Sequence, residues 1–123
     1  MSYKDLEIWH IARDISIDIH RMSMELPSFE FSETGRQIRR SSKSVRSNIV
    51  EGYGRRVYKD EYIRFLIIAQ ASNDETRDHL ETLYETGSLK DKEVHDKIVN
   101  KTILLGKKLT NYIKYLKSQR SKS

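Results

Sequence analysis

The sequence predicts an all-α protein, an antiparallel up-down-up-down four-helix bundle. Only one Pro and five Gly interrupt 123 residues, and the hairpin dipeptides Asn-Gly and Asp-Gly do not occur, so the turns that many short strands need are missing. Apolar residues recur at helical spacing in four segments, and 33% of the residues are charged, which is typical of amphipathic helices with a solvated face. A chain of this length forms one domain, here predicted over residues 1–116.

Helix 1 is predicted from about Asp5 to Leu26, with Asp5 as its N-cap and Pro27 as its stop. Its apolar stripe is wide enough to contact more than one neighbouring helix. The stripe consists of Leu6, Ile8, Trp9, Ile11, Ala12, Ile15, Ile17, Ile19, Met22 and Leu26. Residues 27–34 are predicted to form a loop.

Helix 2 is predicted from Gly35 to Glu51, with Gly52 as the residue that ends it. A loop then leads to helix 3, which is predicted over residues 60–86 and ends before Gly87. Core positions in helix 3 alternate in steps of four and three, the spacing of left-handed bundle packing. They are Tyr62, Leu66, Ala69, Asn73, Thr76, Leu80 and Leu83. The polar members of this row are expected to fix register or to face a partner.

Helix 4 is predicted over residues 91–116, with Gly106 marking a close helix contact. Its core positions are Ile98, Thr102, Leu105, Leu109, Tyr112 and Leu116. The basic segment 117–123 is predicted to be a flexible tail.

Charge alternates along the chain. Residues 1–34 hold three basic and seven acidic residues, and residues 35–59 hold eight basic residues and one acidic residue. Residues 60–96 hold four basic and ten acidic residues, and residues 97–123 hold eight basic residues and no acidic residue. In an up-down bundle each acidic helix therefore adjoins two basic ones. Two interpretations stay open: mutual neutralisation within one bundle, or an acidic face that meets the basic face of another copy in a ring.

The cations of helix 2 fall within one arc of its surface, at about 100° per residue, opposite the apolar positions Ile38, Val45 and Ile49. Two more follow the helix, flanked by Tyr53 and Tyr58. Bases interleaved with aromatic residues suit phosphates and stacked nucleobases. The predicted phosphate contacts are Arg36, Arg39, Arg40, Lys43, Arg46, Arg55 and Arg56. A competing role for Arg39 or Arg40 is a buried ion pair with Glu51.

A third strip of helix 2 is small and polar, and is predicted to be a packing seam inside the bundle or between subunits. It consists of Gln37, Ser41, Ser44, Asn48 and Glu51. Asn48 and Glu51 are expected to hydrogen-bond the second loop or a neighbouring subunit.

Three segments resemble one family. They are YKDLEIW at residues 3–9, RQIRRSSKSVRSNIVEGYGR at residues 36–55 and EYIRFLIIAQAS at residues 61–72. The chain resembles the bacterial four-helix-bundle proteins encoded in 23S rRNA intervening sequences, which are related to the accessory variability proteins of retroelements. The matching motif includes Gln37, Ser44, Asn48, Glu51 and Gly52. The chain departs from the family's Ala-Ala pattern at Ser41 and Ser42.

The resemblance implies a small homo-oligomer, commonly a pentameric ring. It also implies that related proteins bind a reverse transcriptase and nucleic acid through a basic surface, whereas the activity of the ribosomal branch is not established. Fold therefore transfers more safely than function.

Other functional classes find little support. No Cys is available for disulfides or thiolate chemistry, and no cofactor motif, metal-binding spacing, membrane span or export signal is visible, so a cytoplasmic location is expected. Arg13, Asp14 and His20 resemble the pattern of HEPN-type ribonucleases, although an acidic helix attracts RNA poorly. A salt-bridged surface explains Arg13 better.

The sequence thus predicts a non-enzymatic, oligomeric bundle that binds RNA or DNA through helix 2 and the following loop. The alternative is an adaptor for an acidic protein partner or a reverse transcriptase.

Overall fold

Four α-helices make up most of the chain. A computed structural model describes the backbone of residues 1–121 and the side chains of residues 1–119. The helices are α1 (Glu7–Met24), α2 (Thr34–Gly54), α3 (Lys59–Glu85) and α4 (Lys92–Ser121), and short 3-10 helices span Tyr3–Asp5 and Ser28–Ser32. Within residues 1–121 there is no β-strand.

The helices pack in sequence order around one core. α1 packs beside α2 and α4, and α3 packs beside the same two helices, whereas no Cα atoms of the diagonal pairs α1–α3 and α2–α4 lie within 8 Å of each other among the described residues. This arrangement is the predicted four-helix bundle, and it confirms the fold class. The acidic helices α1 and α3 therefore lie diagonally, as do the basic helices α2 and α4.

The core rows follow the predicted spacing closely. All seven predicted positions of α3 are buried, including Asn73 and Thr76. On α4 the predicted core position Tyr112 is half-buried and packs against the edge of the core, whereas its neighbour Ile113 is buried. The wide apolar stripe of α1 packs against both neighbouring helices, as expected.

The predicted start of helix 1 is wrong. Ser2 caps the first 3-10 helix through its hydroxyl, and the carboxylate of Asp5 accepts a hydrogen bond from the Ser2 backbone N–H at 2.9 Å. Asp5 thus completes a capping box, and α1 begins only after Leu6. The expected loop after Pro27 is largely the second 3-10 helix, and Thr34 already belongs to α2.

Gly52 does not end the second helix, contrary to the prediction. It is buried within α2, which continues to Gly54. A Cβ atom at Gly52 would lie 2.9 Å from the Cβ atom of Phe65, so the absence of a side chain lets α2 and α3 approach closely. By contrast, Gly87 has a φ of 82° just beyond α3, where a residue without a Cβ is favoured.

The C-terminal boundary also differs from the prediction. α4 continues to Ser121, so residues 117–121 of the predicted tail are helical, while residues 122 and 123 lie outside the described residues. No helix in the described part of the chain carries an apolar stretch long enough to cross a membrane.

Candidate nucleic-acid interface

Three cations point away from the bundle on the outer surface of α2. Arg36, Arg40 and Lys43 are exposed, and we call them the α2 basic face. None of them forms an ion pair or a side-chain hydrogen bond with the residues that the structure describes. They lie on one side of the helix because their spacing of three and four residues matches the helical repeat. Their charges therefore face solvent.

Arg39 was predicted to contact phosphate, but it has a structural role. Its Nη2 atom donates to the Phe31 carbonyl at 2.7 Å and its Nη1 atom donates to the Ser23 hydroxyl at 3.2 Å. The guanidinium also lies 4.6 Å from the centroid of the Phe31 ring. Arg39 is half-buried and holds the second 3-10 helix and α1 against α2. The alternative pairing of Arg39 or Arg40 with Glu51 is wrong.

Arg46 is likewise turned towards α1. Its Nη1 atom donates to the hydroxyl of Ser16 at 3.1 Å, and its guanidinium lies 5.3 Å from the centroid of the Trp9 ring. Ser16 is buried, so this contact links α2 to the inner part of α1. Arg46 therefore has fewer donors available for a ligand than the arginines of the α2 basic face.

The loop after α2 adds two exposed arginines. Arg55 lies 3.8 Å from the carboxylate of Glu51, a long and solvated ion pair that contributes little to stability. Arg56 donates to the Tyr53 carbonyl at 2.9 Å and covers the Tyr53 ring. Tyr53 is buried, whereas Tyr58 is 70% exposed. Of the two tyrosines predicted to flank these bases, only Tyr58 is accessible.

The polar strip of α2 forms a seam with α3 in its middle part only. The hydroxyls of Ser44 and Ser72 are 3.0 Å apart, and Thr76 donates to the hydroxyl of Ser41 at 2.8 Å. Gln37 and Glu51, at its two ends, are exposed. The seam is therefore an intramolecular contact at Ser41 and Ser44.

Asn48 does not bond the second loop. Its amide nitrogen donates to the Ser44 carbonyl at 2.8 Å and to the Ser44 hydroxyl at 3.0 Å, both on its own helix. These bonds fix the orientation of the Asn48 amide.

A cleft of about 660 Å³ crosses the second half of α2. Lys43, Arg46 and Asn48 line it together with Tyr3 and Trp9. Sequence reasoning did not place the two aromatic residues near the basic helix. The available signal was the segment at residues 3–9, which resembles the family and carries the single Trp of the chain.

The ribonuclease-like residues are all exposed on α1. Arg13 forms an exposed ion pair with Asp14 at 3.3 Å, which is the salt-bridged surface that the sequence favours for Arg13. His20 is exposed on the same helix. The described residues contain no group of three side chains that could hold a metal ion.

The chain matches one protein family over most of its length. The model of the 23S rRNA-intervening sequence protein family matches residues 4–111. The chain belongs to this family. The match covers all of α1, α2 and α3 and most of α4, so the α2 basic face lies within the family domain, whereas Tyr3 of the cleft lies just before the matched residues.

A solved structure has the same fold. It is a protein with unknown function from the S23 ribosomal protein family of Bacteroides thetaiotaomicron, with a TM-score of 0.74 and 25% sequence identity. The superposition covers 87% of this chain and 98% of the other. No curated protein matches the chain significantly.

Proposed function

We propose that this family member binds RNA or DNA, with the phosphates held by the α2 basic face and by the loop after α2. The observation that carries the proposal is the lack of neutralisation at Arg36, Arg40 and Lys43. Acidic helices flank α2 on both sides, yet within the described residues no carboxylate lies within ion-pair distance of these three cations. Exposed cations on one helix face are free to replace the counterions of a nucleic acid.

The other basic helix provides a useful contrast. On α4, Lys101 pairs with Asp18 of α1 at 2.6 Å, and Lys108 pairs with Glu7 of α1 at 2.9 Å. Mutual neutralisation within the bundle thus applies to the contact between α1 and α4. It does not account for the outer cations of α2, nor for Lys107, Lys114 and Lys117 of α4. The α2 basic face differs from these lysines because it carries the guanidinium groups of Arg36 and Arg40, which bind phosphate through paired hydrogen bonds.

The proposed contact set is smaller than the one expected from the sequence. Arg39 and Arg46 drop out, because their guanidiniums bond Phe31, Ser23 and Ser16 inside the molecule. Arg55 and Arg56 remain, since both are exposed and the Arg55–Glu51 pair is long. The retained contacts are Arg36, Arg40, Lys43, Arg55 and Arg56. Guanidinium groups bind phosphate through paired hydrogen bonds.

The proposed activity is binding in the cytoplasm, as part of a homo-oligomer. Large apolar side chains are exposed on two helices, which supports self-association. Ile67 of α3 is 45% exposed and Leu104 of α4 is 46% exposed. A pentameric ring, as the family resemblance implies, would present five copies of the α2 basic face and raise the affinity for a long polyanion.

Light scattering tests this oligomer directly. We expect a mass in solution of about five times that of the 14.6 kDa chain. A monomeric mass across the micromolar range contradicts the ring without affecting the binding proposal.

Nucleic-acid binding is tested by a salt series with two matched triple variants. One variant replaces Arg36, Arg40 and Lys43 by Ala. The control replaces Lys107, Lys114 and Lys117 of α4 by Ala, which are also exposed and form no ion pair with residues 1–119, so both variants lose the same charge. Fluorescence anisotropy with labelled RNA and DNA then gives affinity against salt concentration.

We expect the slope of log affinity against log salt to fall by about 2 to 3 in the α2 variant, because about 0.7 to 0.9 of a counterion is released per phosphate contact. The α4 variant should keep most of the slope. Equal losses in both variants would mean that net charge alone controls binding. Lack of binding by the wild-type protein, together with recovery of an acidic protein partner, would favour the adaptor function instead.

A further inference from the structure

Planar side-chain groups line the cleft beside the α2 basic face. Tyr3 and Trp9 pack edge to face, with ring centroids 5.3 Å apart, and the guanidinium of Arg46 lies over the Trp9 ring. Tyr3 and Arg46 are only half-buried. An aromatic ring and a guanidinium on the wall of one cleft are the groups on which a nucleobase stacks.

Polar groups in the same cleft have unused hydrogen-bonding capacity. Both hydrogen bonds of Asn48 use its amide nitrogen, which leaves its side-chain oxygen as an acceptor without a partner among residues 1–119. The Nε1–H group of Trp9 is buried and has no acceptor in the described structure. Lys43 lines the same cleft, is exposed and forms no ion pair with the residues that the structure describes.

Binding to the backbone of a duplex would not require these features of the cleft. Phosphates need only the outward cations of α2, whereas a cleft wall that carries an aromatic ring and a guanidinium suits a planar base. Bases inside a duplex are stacked and paired, so their faces cannot enter such a cleft; bases in single strands, loops and bulges can.

We infer that the cleft accepts one unpaired nucleobase of a single-stranded segment. The base stacks on Tyr3 and Arg46, and Lys43 holds the adjoining phosphate. This inference rests on the proposed nucleic-acid binding and narrows its ligand to nucleic acid with unpaired bases.

Trp9 provides a local probe, because it is the only Trp of the chain and lines the cleft. The experiment titrates the full-length protein with a short single-stranded RNA and with a duplex of the same sequence, following Trp fluorescence and anisotropy together. We expect anisotropy to report binding of both ligands, with only the single strand changing the Trp9 emission.

Replacement of Tyr3 sharpens the test. Tyr3→Ala should weaken single-strand binding about tenfold, the effect of losing one stacking partner, and leave duplex binding within about twofold. Tyr3→Phe keeps the ring and should retain the wild-type affinity. The matched control is Tyr115→Ala, which removes an exposed tyrosine of α4 that does not line the cleft and should leave the ratio of the two affinities unchanged. Circular dichroism checks that each variant is folded.

The outcomes separate the two proposals. If neither RNA binds, the proposed function fails and this inference fails with it. If both bind, but the Trp9 emission is unchanged and Tyr3→Ala lowers both affinities equally, nucleic-acid binding stands and the nucleobase cleft is wrong.

Discussion

The side-chain amide of Asn73 on α3 donates a hydrogen bond to the backbone carbonyl of Thr102 on α4, with 2.8 Å between nitrogen and oxygen. Both residues are buried, and Thr76, one turn further along α3, donates in the opposite direction to Ser41 of α2 at 2.8 Å. The two polar members of the α3 row therefore connect α3 to both of its neighbours. A hydrogen bond requires its donor and acceptor at specific positions, whereas an apolar contact does not. These two bonds therefore fix the axial register of the three helices.

Loss of the Asn73 amide should destabilise the bundle. We expect Asn73→Ala to lower the free energy of unfolding by about 1 to 3 kcal/mol, because it removes a buried hydrogen bond and leaves a small cavity. Urea denaturation followed by circular dichroism measures this change. Asn100→Ala, at an exposed position of α4, should shift the free energy by less than about 0.5 kcal/mol. Equal effects in the two variants would contradict the proposed role of Asn73.

Gly52 and Gly54 form a matched pair at the end of α2. A Cβ atom at Gly52 would lie 2.9 Å from the Cβ atom of Phe65 and 3.1 Å from a ring carbon of Tyr62, whereas one at Gly54 would meet no atom within 4 Å. Gly52→Ala should therefore cost about 1 to 3 kcal/mol by forcing α2 and α3 apart. Gly54→Ala should be neutral or stabilise by up to about 1 kcal/mol through helix propensity.

Thermal and urea unfolding of both variants test this assignment. A Gly52→Ala variant as stable as Gly54→Ala would mean that the helices can separate without cost at this position.

The sequence predicted the interior of the bundle better than its ends. The seven positions of the α3 row are all buried, because a spacing of four and three residues has only one structural explanation over so long a segment. Gly52 allowed two explanations, termination of α2 or close contact with α3. Local sequence cannot distinguish them, since the second depends on where Phe65 lies in the folded chain.

The same limit applies to the candidate interface. Helical spacing predicts that five cations of helix 2 lie on one arc of its surface. It does not predict which edge of that arc faces α1. Arg39 and Arg46 lie at that edge and bond Ser23 and Ser16, which both belong to α1. The aromatic wall of the cleft, at Tyr3, is equally a product of tertiary packing. Charge was thus predictable from the sequence, and accessibility was not.

Arg39 and Arg40 are neighbours with opposite expected roles. Arg39→Ala should lower the free energy of unfolding by about 1 to 2 kcal/mol, because it removes the charge-assisted hydrogen bond to Phe31. Arg40→Ala should change it by less than about 0.5 kcal/mol. In nucleic-acid binding the order reverses: Arg40→Ala should reduce the salt slope by about 1 and Arg39→Ala should leave it unchanged.

Urea denaturation and anisotropy on the same two protein samples measure both quantities. The proposed roles require that Arg39→Ala changes mainly the free energy of unfolding and that Arg40→Ala changes mainly the salt slope. If Arg39→Ala alone reduced the salt slope in a stably folded protein, the contact set proposed for α2 would need Arg39 in place of Arg40.

Tyr62 should make stability depend on alkaline pH. Burial raises the pKa of the Tyr62 phenol, and its hydrogen bond to the Tyr112 hydroxyl at 3.1 Å raises the pKa further. In the unfolded chain the phenol ionises near its ordinary pKa of 10.0. Above that pH the unfolded state binds fewer protons than the folded state, so stability falls as pH rises, by about 1.4 kcal/mol per pH unit for one such group.

The variant Tyr62→Phe isolates this contribution. At neutral pH it should cost about 1 kcal/mol, the value of one hydrogen bond, but its stability should fall less steeply than that of the wild type above about pH 10. Urea denaturation at several pH values between about 8 and 11 gives the two curves, which should converge as pH rises. Tyr115→Phe is the control, since Tyr115 is 55% exposed and should follow the wild-type curve. Parallel curves for Tyr62→Phe and wild type would show that Tyr62 ionises as readily in the folded bundle as in the unfolded chain, and that the end of the core between α2, α3 and α4 is open to water.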